Sequence, residues 1–209
     1  MNILILGPKS RNKNIIDFLS NENNIFQTED NITLEYLEKN SVEFLISNGC
    51  APILKEPILS KYKYKIINIH PTFLPYGRGI YPLLWSLLEE TPIGVTLHFI
   101  DAGIDSGEII FQKKVTLDDN NTLEYAYNIL LNEAEKLFLE NWNNIVDKKY
   151  IVKTQNSLQT YRNRNVSEKY MHILPQCWNT KIKDVKKLSY FYKKNKDFMK
   201  NLNDWSNKC

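Results

Sequence analysis

Two residues with chemistry to offer stand two apart in the apolar run Ile66-Ile-Asn-Ile-His70, and a third, Asp105, stands in the turn Asp101-Ala-Gly-Ile-Asp-Ser-Gly107. Alternate side chains of a strand point to the same side, so Asn68 and His70 share one face of the sheet at the strand end. An amide donor, an imidazole able to carry a proton and a carboxylate to hold it suit the attack of an external nucleophile on a carbonyl. Two donors can then stabilise the tetrahedral oxyanion. Each residue alone has an ordinary use: a histidine closing a strand, an asparagine entering a loop, an aspartate capping amides in an Asp-x-Gly turn. What separates this set from those uses is its occurrence together, with a Pro/Gly-rich loop, Pro71 to Gly79, directly after His70.

The flanking pattern supplies the elements that must position them. Ile3–Gly7 reads as a buried strand, residues 10–20 as a helix, Ile25–Gln27 as a weak strand, Leu34–Glu38 as a helix and Phe44–Ser47 as a strand. This β-α-β-α-β order predicts an α/β fold, a Rossmann-like twisted, largely parallel sheet with helices on both faces. Ligands of such sheets bind outside the carboxyl ends of the strands, where strand order reverses. Lys65–Ile69 is the next strand, and Pro82 fits the first turn of a helix carrying Leu83, Leu84, Trp85, Leu87 and Leu88. Val95–Ile100 and Glu108–Val115 read as strands around the Asp105 turn. Leu123, Ala126, Tyr127, Leu130, Ala134, Leu137, Phe138 and Ile145 form the stripe of a long amphipathic helix, with Asn121 and Glu124 as a capping pair. Beyond about residue 148 the pattern weakens: Tyr150–Val152 reads as a short strand, 157–180 as loop and 183–204 as a final helix. The expected division is a catalytic domain over 1–148 and a short C-terminal extension over 149–209.

With 209 residues, 43% of them hydrophobic, the chain can bury one substantial core. No apolar run approaches the roughly 18 residues of a membrane span, and Met1–Pro8 reads as a strand entering a turn rather than a signal peptide. The expectation is a cytoplasmic protein without membrane insertion. The net charge of +3 is unevenly spread: residues 181–209 hold nine lysines and three aspartates, whereas the preceding 180 residues carry a net −3. Cys50, Cys177 and Cys209 are odd in number and lack metal-ligand spacing, so neither a disulfide framework nor a metal site is expected.

Three stretches, Asn68-Ile-His-Pro-Thr-Phe-Leu-Pro75, Gly94-Val-Thr-Leu-His-Phe99 and Gly103-Ile-Asp-Ser-Gly107, together resemble the 10-formyltetrahydrofolate-dependent formyltransferase family over roughly residues 1–145. Thr72-Phe73 departs from the Ser-Leu usual in that family. The resemblance implies that Asn68, His70 and Asp105 are catalytic. Asn68 and protonated His70 would donate to the oxyanion, while Asp105 keeps His70 charged and accepts the proton of the attacking amine. It makes His98 a partner of Asp105, 10-formyltetrahydrofolate the co-substrate, and a metal or covalent intermediate unnecessary. The folate would contact Asn48, Gly49, Cys50, Ala51 and Ile53 after the third strand, and Asp101, Ala102, Gly103 and Ile104 before Asp105. Cys50 as a nucleophile is the alternative use of that loop.

The same family divides by acceptor. The roughly 60 residues after the catalytic part are too few for the RNA-binding domain of enzymes that formylate methionyl-tRNA, so no nucleic-acid partner is expected. Gly7-Pro-Lys-Ser-Arg-Asn-Lys13 lacks the second glycine of the phosphate loop in glycinamide ribonucleotide formyltransferases, although Lys9, Ser10 and Arg11 can substitute. The closer likeness is to sugar N-formyltransferases acting on dTDP- or UDP-linked amino-deoxysugars for N-formylated surface glycans, in Leu74–Pro82, Gly103–Ile110, Gln159–Arg162 and Leu174–Asn179. A nucleotide sugar needs cations for its pyrophosphate and an aromatic face for its base. Thr72, Tyr76, Gly77, Arg78, Tyr81, Tyr161, Arg162, Arg164 and Trp178 are the acceptor candidates. The readings kept beside this one are glycinamide ribonucleotide formylation and a non-catalytic folate- or nucleotide-binding protein. Val185, Leu188, Phe191, Phe198 and Leu202 would either bury the last helix or pair it in a homodimer.

Overall fold

β-branched and leucine-rich runs separated by short helices build the expected sheet. The computed structural model describes residues 1–49, 53–155 and 161–194. Strands β1 (Asn2–Leu6), β2 (Asn24–Thr28), β3 (Phe44–Ser47), β4 (Ile66–His70), β5 (Gly94–Phe99) and β6 (Ile109–Lys114) form one sheet in the order β2-β1-β3-β4-β5-β6. The β2, β1, β3 and β4 pairings are parallel, and β5 runs antiparallel to β4. Strand order reverses between β1 and β3, so the loops following these two strands flank the switch point.

The chain divides into two compact units, each assembled from separated segments: residues 1–70, 96–112 and 134–155 in the first, and 71–95, 113–133 and 156–209 in the second. This differs from the expected cut near residue 148, because the crossovers after β4 and β6 belong to the second unit while residues 149–155 remain with the first.

In the first unit the alternation of the parallel strands sorts their side chains. Leu4, Leu6, Leu45 and Ile66 cluster with Leu37 of α2 (Leu34–Lys39) and Ile58 of α3 (Ile58–Lys61). Phe44, of opposite parity to Leu45, instead packs edge-on against Trp142 of α5 (Leu123–Val146), so helices cover both faces. Thr33 caps α2 through the amide of Tyr36 at 3.1 Å. Helix α1 (Lys13–Leu19) adds buried Ile15 and Leu19.

In the second unit, α4 (Pro82–Leu88) is buried at every residue and begins with proline, as its sequence predicts. The long helix α5 is also where expected. Its cap is different: Thr122 Oγ1, rather than Asn121, accepts from the amide of Tyr125 at 3.2 Å. The stretch expected to be loop contains α6 (Arg164–Ile173), started by Asn163, whose side chain accepts from Val166 N at 2.9 Å. The indole of Trp85 donates to Ser167 Oγ at 3.0 Å, which ties α6 to α4. Helix α7 (Ile182–Lys194) buries Val185 and Leu188 but leaves Phe191 exposed, while Phe198 and Leu202 lie outside the described residues. Among the described residues no helix is long and apolar enough to cross a membrane, and no group of His, Cys, Asp and Glu side chains is arranged to hold a metal.

Candidate active site

β4 runs one residue further than its apolar pattern, so His70 closes the strand and is buried. The antiparallel register sets Asn68 opposite His98 and His70 opposite Thr96. Directly opposed residues project to the same face. Asp105 reaches this face from the β5–β6 turn, which closes where Phe99 N donates to Glu108 O at 2.9 Å. A β-carbon at Gly107 would collide with the Phe99 carbonyl, so this turn is as tight as glycine allows.

Three side chains converge on one oxygen of Asp105. Asn68 Nδ2 donates to Asp105 Oδ1 at 3.2 Å, His70 Nδ1 lies 3.7 Å from that oxygen, and His98 Nε2 lies 3.8 Å from it. Asn68 Nδ2 is also 3.1 Å from His98 Nε2. The rings of His70 and His98 meet edge to face at 6.0 Å.

His98 is neutral in this setting. Burial pushes its pKa down to about 4, with the charge of His70 adding to the effect and the nearby carboxylate of Asp105 opposing it. Its Nδ1 lies 2.8 Å from the carbonyl of Phe99, so the single ring proton belongs there and Nε2 presents a lone pair. That lone pair and the carboxylate together require the NH2 end of the Asn68 amide to face them, because its carbonyl end would be repelled by both. The contact between His98 and Asp105 is therefore not an ion pair at neutral pH, and His98 sets the amide orientation of Asn68. This agrees with its expected place beside Asp105 and adds what it does there.

The two loops expected to meet folate are organised differently from each other. Asn48 is buried, and its amide and carbonyl are both engaged by Asn12: Asn48 Nδ2 donates to Asn12 Oδ1 at 3.0 Å, and Asn12 Nδ2 donates to Asn48 O at 3.2 Å and Pro8 O at 2.9 Å. This pairing joins the loops after β1 and β3, where Gly7 has no room for a β-carbon against the Asn48 carbonyl. Gly49 and Ile53 are exposed, and Cys50 and Ala51 lie outside the described residues. Asp101, Ala102 and Gly103 are exposed and Ile104 half-buried; Asp101 Oδ1 accepts from Gly103 N at 3.0 Å and Ser106 Oγ at 2.6 Å. Leu54 and Ile100, the residues entering these two loops from the core side, join the same apolar cluster.

Among the acceptor candidates, all in the second unit, several come together. Tyr81, left-handed at φ 51°, meets Trp178 edge-on at 5.6 Å, and Tyr127 lies 5.4 Å from Trp178 at a tilt. Gly79 forms a parallel bridge with Arg162, and the ring of Tyr161 lies against Gly79. Arg162 pairs with Glu89 at 2.6 Å and lies over the Trp85 ring at 5.4 Å, an arrangement that fastens the C-terminal segment to α4. Arg164 pairs with Glu168 at 3.4 Å on the surface of α6. Thr72 and Gly77 are buried, and Tyr76 and Arg78 half-buried. Sequence reasoning missed Asn12, which lies in the Gly7–Lys13 stretch but was given no role there, and Gln155, which lies in no motif; only tertiary contacts reveal what they hold.

Comparison with known proteins identifies the family. Residues 8–141 match the family model described as formyl transferase. The formyltransferase PseJ from Anoxybacillus kamchatkensis, solved with UDP-4,6-dideoxy-4-formamido-L-AltNAc and tetrahydrofolate, is 38% identical with a TM-score of 0.82, over 88% of this chain and 97% of that one. Methionyl-tRNA formyltransferase of Clostridium tetani (strain Massachusetts / E88) is 28% identical over 85% of this chain and 53% of its own length, so the chain spans about half of that relative. Phosphoribosylglycinamide formyltransferase of Bacillus subtilis (strain 168) is 36% identical over 44% of this chain and 47% of its own. With the sheet, the convergent polar cluster and the family match in agreement, this chain belongs to the formyl transferase family.

Proposed function

We propose that this protein is a sugar N-formyltransferase that moves the formyl group of 10-formyltetrahydrofolate to the primary amine of a nucleotide-linked amino-deoxysugar. One observation carries the chemistry: Asn68, His70 and His98 gather around a single carboxylate oxygen of Asp105. The acceptor nitrogen attacks the formyl carbon and the carbonyl oxygen becomes the oxyanion. His70, protonated, donates to it, and Asn68 turns one N–H from Asp105 to the same oxygen. Such a donor is worth about 3–4 kcal/mol in the transition state. Asp105, relieved of that hydrogen bond, takes the proton of the attacking amine. The bond from the formyl carbon to N10 of the folate then breaks, and the proton taken up by Asp105 is passed on to that nitrogen as it leaves, which restores the carboxylate. No step uses a metal.

The exposed residues Asp101, Ala102 and Gly103 and the exposed Ile53 support the assignment of folate to those loops. The likeness to PseJ, over nearly the whole of that chain, favours a UDP-linked 4-amino-4,6-dideoxysugar over a dTDP-linked one. Tyr81, Trp178, Tyr161, Arg78 and Arg164 remain the acceptor contacts to be tested, and the assigned setting is cytoplasmic synthesis of N-formylated surface glycans.

The test is a direct assay with 10-formyltetrahydrofolate and three acceptors: a UDP-linked 4-amino-4,6-dideoxysugar, a dTDP-linked aminosugar and glycinamide ribonucleotide. Formylation of a nucleotide sugar, read as release of tetrahydrofolate and a product heavier by one formyl group, is the expected result. Turnover of glycinamide ribonucleotide alone would overturn the acceptor assignment in favour of the activity for which the Bacillus subtilis relative is named, phosphoribosylglycinamide formyltransferase.

A further inference from the structure

Asp105 carries its carboxylate on a left-handed backbone, φ 50°, a conformation that a side-chain-bearing residue adopts only where its surroundings hold it. One side of its turn is held from within by Asp101, whose Oδ1 accepts from Gly103 N and Ser106 Oγ. The other side is held by a segment 50 residues further along the chain. Gln155 Nε2 donates to the carbonyl of Asp105 at 3.0 Å and to the carbonyl of Gly107 at 2.7 Å.

The support for Gln155 is itself anchored to the same hairpin. Lys153 and Ile109 exchange both backbone hydrogen bonds, at 2.9 and 2.8 Å, as an isolated antiparallel bridge. Thr154 Oγ1 lies 3.4 Å from Glu108 Oε1. Three consecutive residues, 153 to 155, thus bind four residues between 105 and 109. All belong to the first unit.

We infer that Gln155 is a positioning residue for Asp105: its carboxamide, by binding the carbonyls on both sides of Ser106, keeps the catalytic turn in the conformation that aims the carboxylate at Asn68 and His70. This rests on the proposed formyl transfer for its kinetic consequence and on the hydrogen bonds alone for its structural one. A carboxamide suits the task because both N–H groups of one planar nitrogen can be directed at two carbonyl oxygens. Neither glutamate, when ionised, nor leucine can make those bonds; glutamate is isosteric with glutamine, and leucine is shorter and apolar.

The experiment compares Gln155→Glu and Gln155→Leu with the wild-type chain, using hydrogen exchange over residues 101–108 and steady-state kinetics with the acceptor found active. The inference expects faster exchange in that segment, with β1, β3 and β4 unchanged, in both variants. It also expects kcat to fall about 100-fold, with the acceptor KM held within about twofold, as follows from displacing a reacting group by about an ångström. Faster exchange with an unchanged kcat, or a fallen kcat with unchanged exchange, overturns it. So does a variant whose exchange rises throughout the sheet, which would mark a general structural role. If the wild-type chain formylates no acceptor, the functional reading fails on its own, and the exchange measurement still decides whether Gln155 restrains the turn.

Discussion

Asn68 and His98 face one another across the antiparallel β4–β5 pair, with Asn68 Nδ2 3.1 Å from His98 Nε2. The proton of His98 is committed to the Phe99 carbonyl, so the imidazole acts here purely as an acceptor. A neutral histidine thereby orients the amide that the proposed reaction uses.

Replacing the groups that gather at Asp105 should separate their contributions. Asn68→Ala is expected to lower kcat by about 10²–10³, the usual cost of losing one oxyanion donor. His70→Ala and Asp105→Asn should remove measurable turnover while the circular dichroism spectrum and melting temperature stay near wild type. Wild-type-like turnover in either of the last two would sink the catalytic assignment.

The neutral His98 predicts a pH signature in stability. Its folded pKa, about 4, lies below the ordinary value of 6.5, so between those values the unfolded chain binds a proton that the folded chain does not. Stability should therefore fall as pH drops from about 6.5 towards 4, by a few kcal/mol at most. Urea melts at pH 4.5 and 7 should show a smaller difference for His98→Gln than for wild type. Equal differences in the two proteins would contradict the neutral assignment.

Asn12 is fully buried and bonded to both ends of Asn48. Asn12→Leu should cost about 1–3 kcal/mol, because it removes the side-chain partner of the Asn48 amide and of the Asn48 carbonyl. The check is chemical denaturation, combined with the KM for 10-formyltetrahydrofolate, which should rise as the loop after β3 loosens.

Arg162 tests whether a cation expected to hold pyrophosphate serves another end. Half-exposed, it pairs with Glu89 and stacks on Trp85, so Arg162→Ala should lower stability by about 1–2 kcal/mol. An unchanged melting temperature with a large rise in acceptor KM would return it to the ligand.

Much of this was legible in residue order. Strand and helix succession, the Pro82 start of α4 and the stripe of α5 follow from local periodicity, which depends on side chains a few positions apart. Helix α6 was missed because its sequence, Arg164–Ile173, has few apolar residues. It is fixed by an asparagine cap and by a buried bond from Trp85 to Ser167. Similarly, the cap of α5 is Thr122, one residue beyond the expected Asn121, and only the geometry of the first turn shows it.

By itself the sequence determined the α/β class and the residue types of the site, because Asn68 and His70 share a strand face at a spacing of two and Asp105 sits in its own short turn. Tertiary structure alone decided that His98 is neutral and opposes Asn68, that Asn12 locks Asn48, that Arg162 is bound to Glu89 and that Gln155 holds the Asp105 turn. The physical reason is the same in each case. Burial, register and hydrogen bonding between residues 30 to 73 positions apart depend on how the chain returns upon itself, and no local pattern encodes that return.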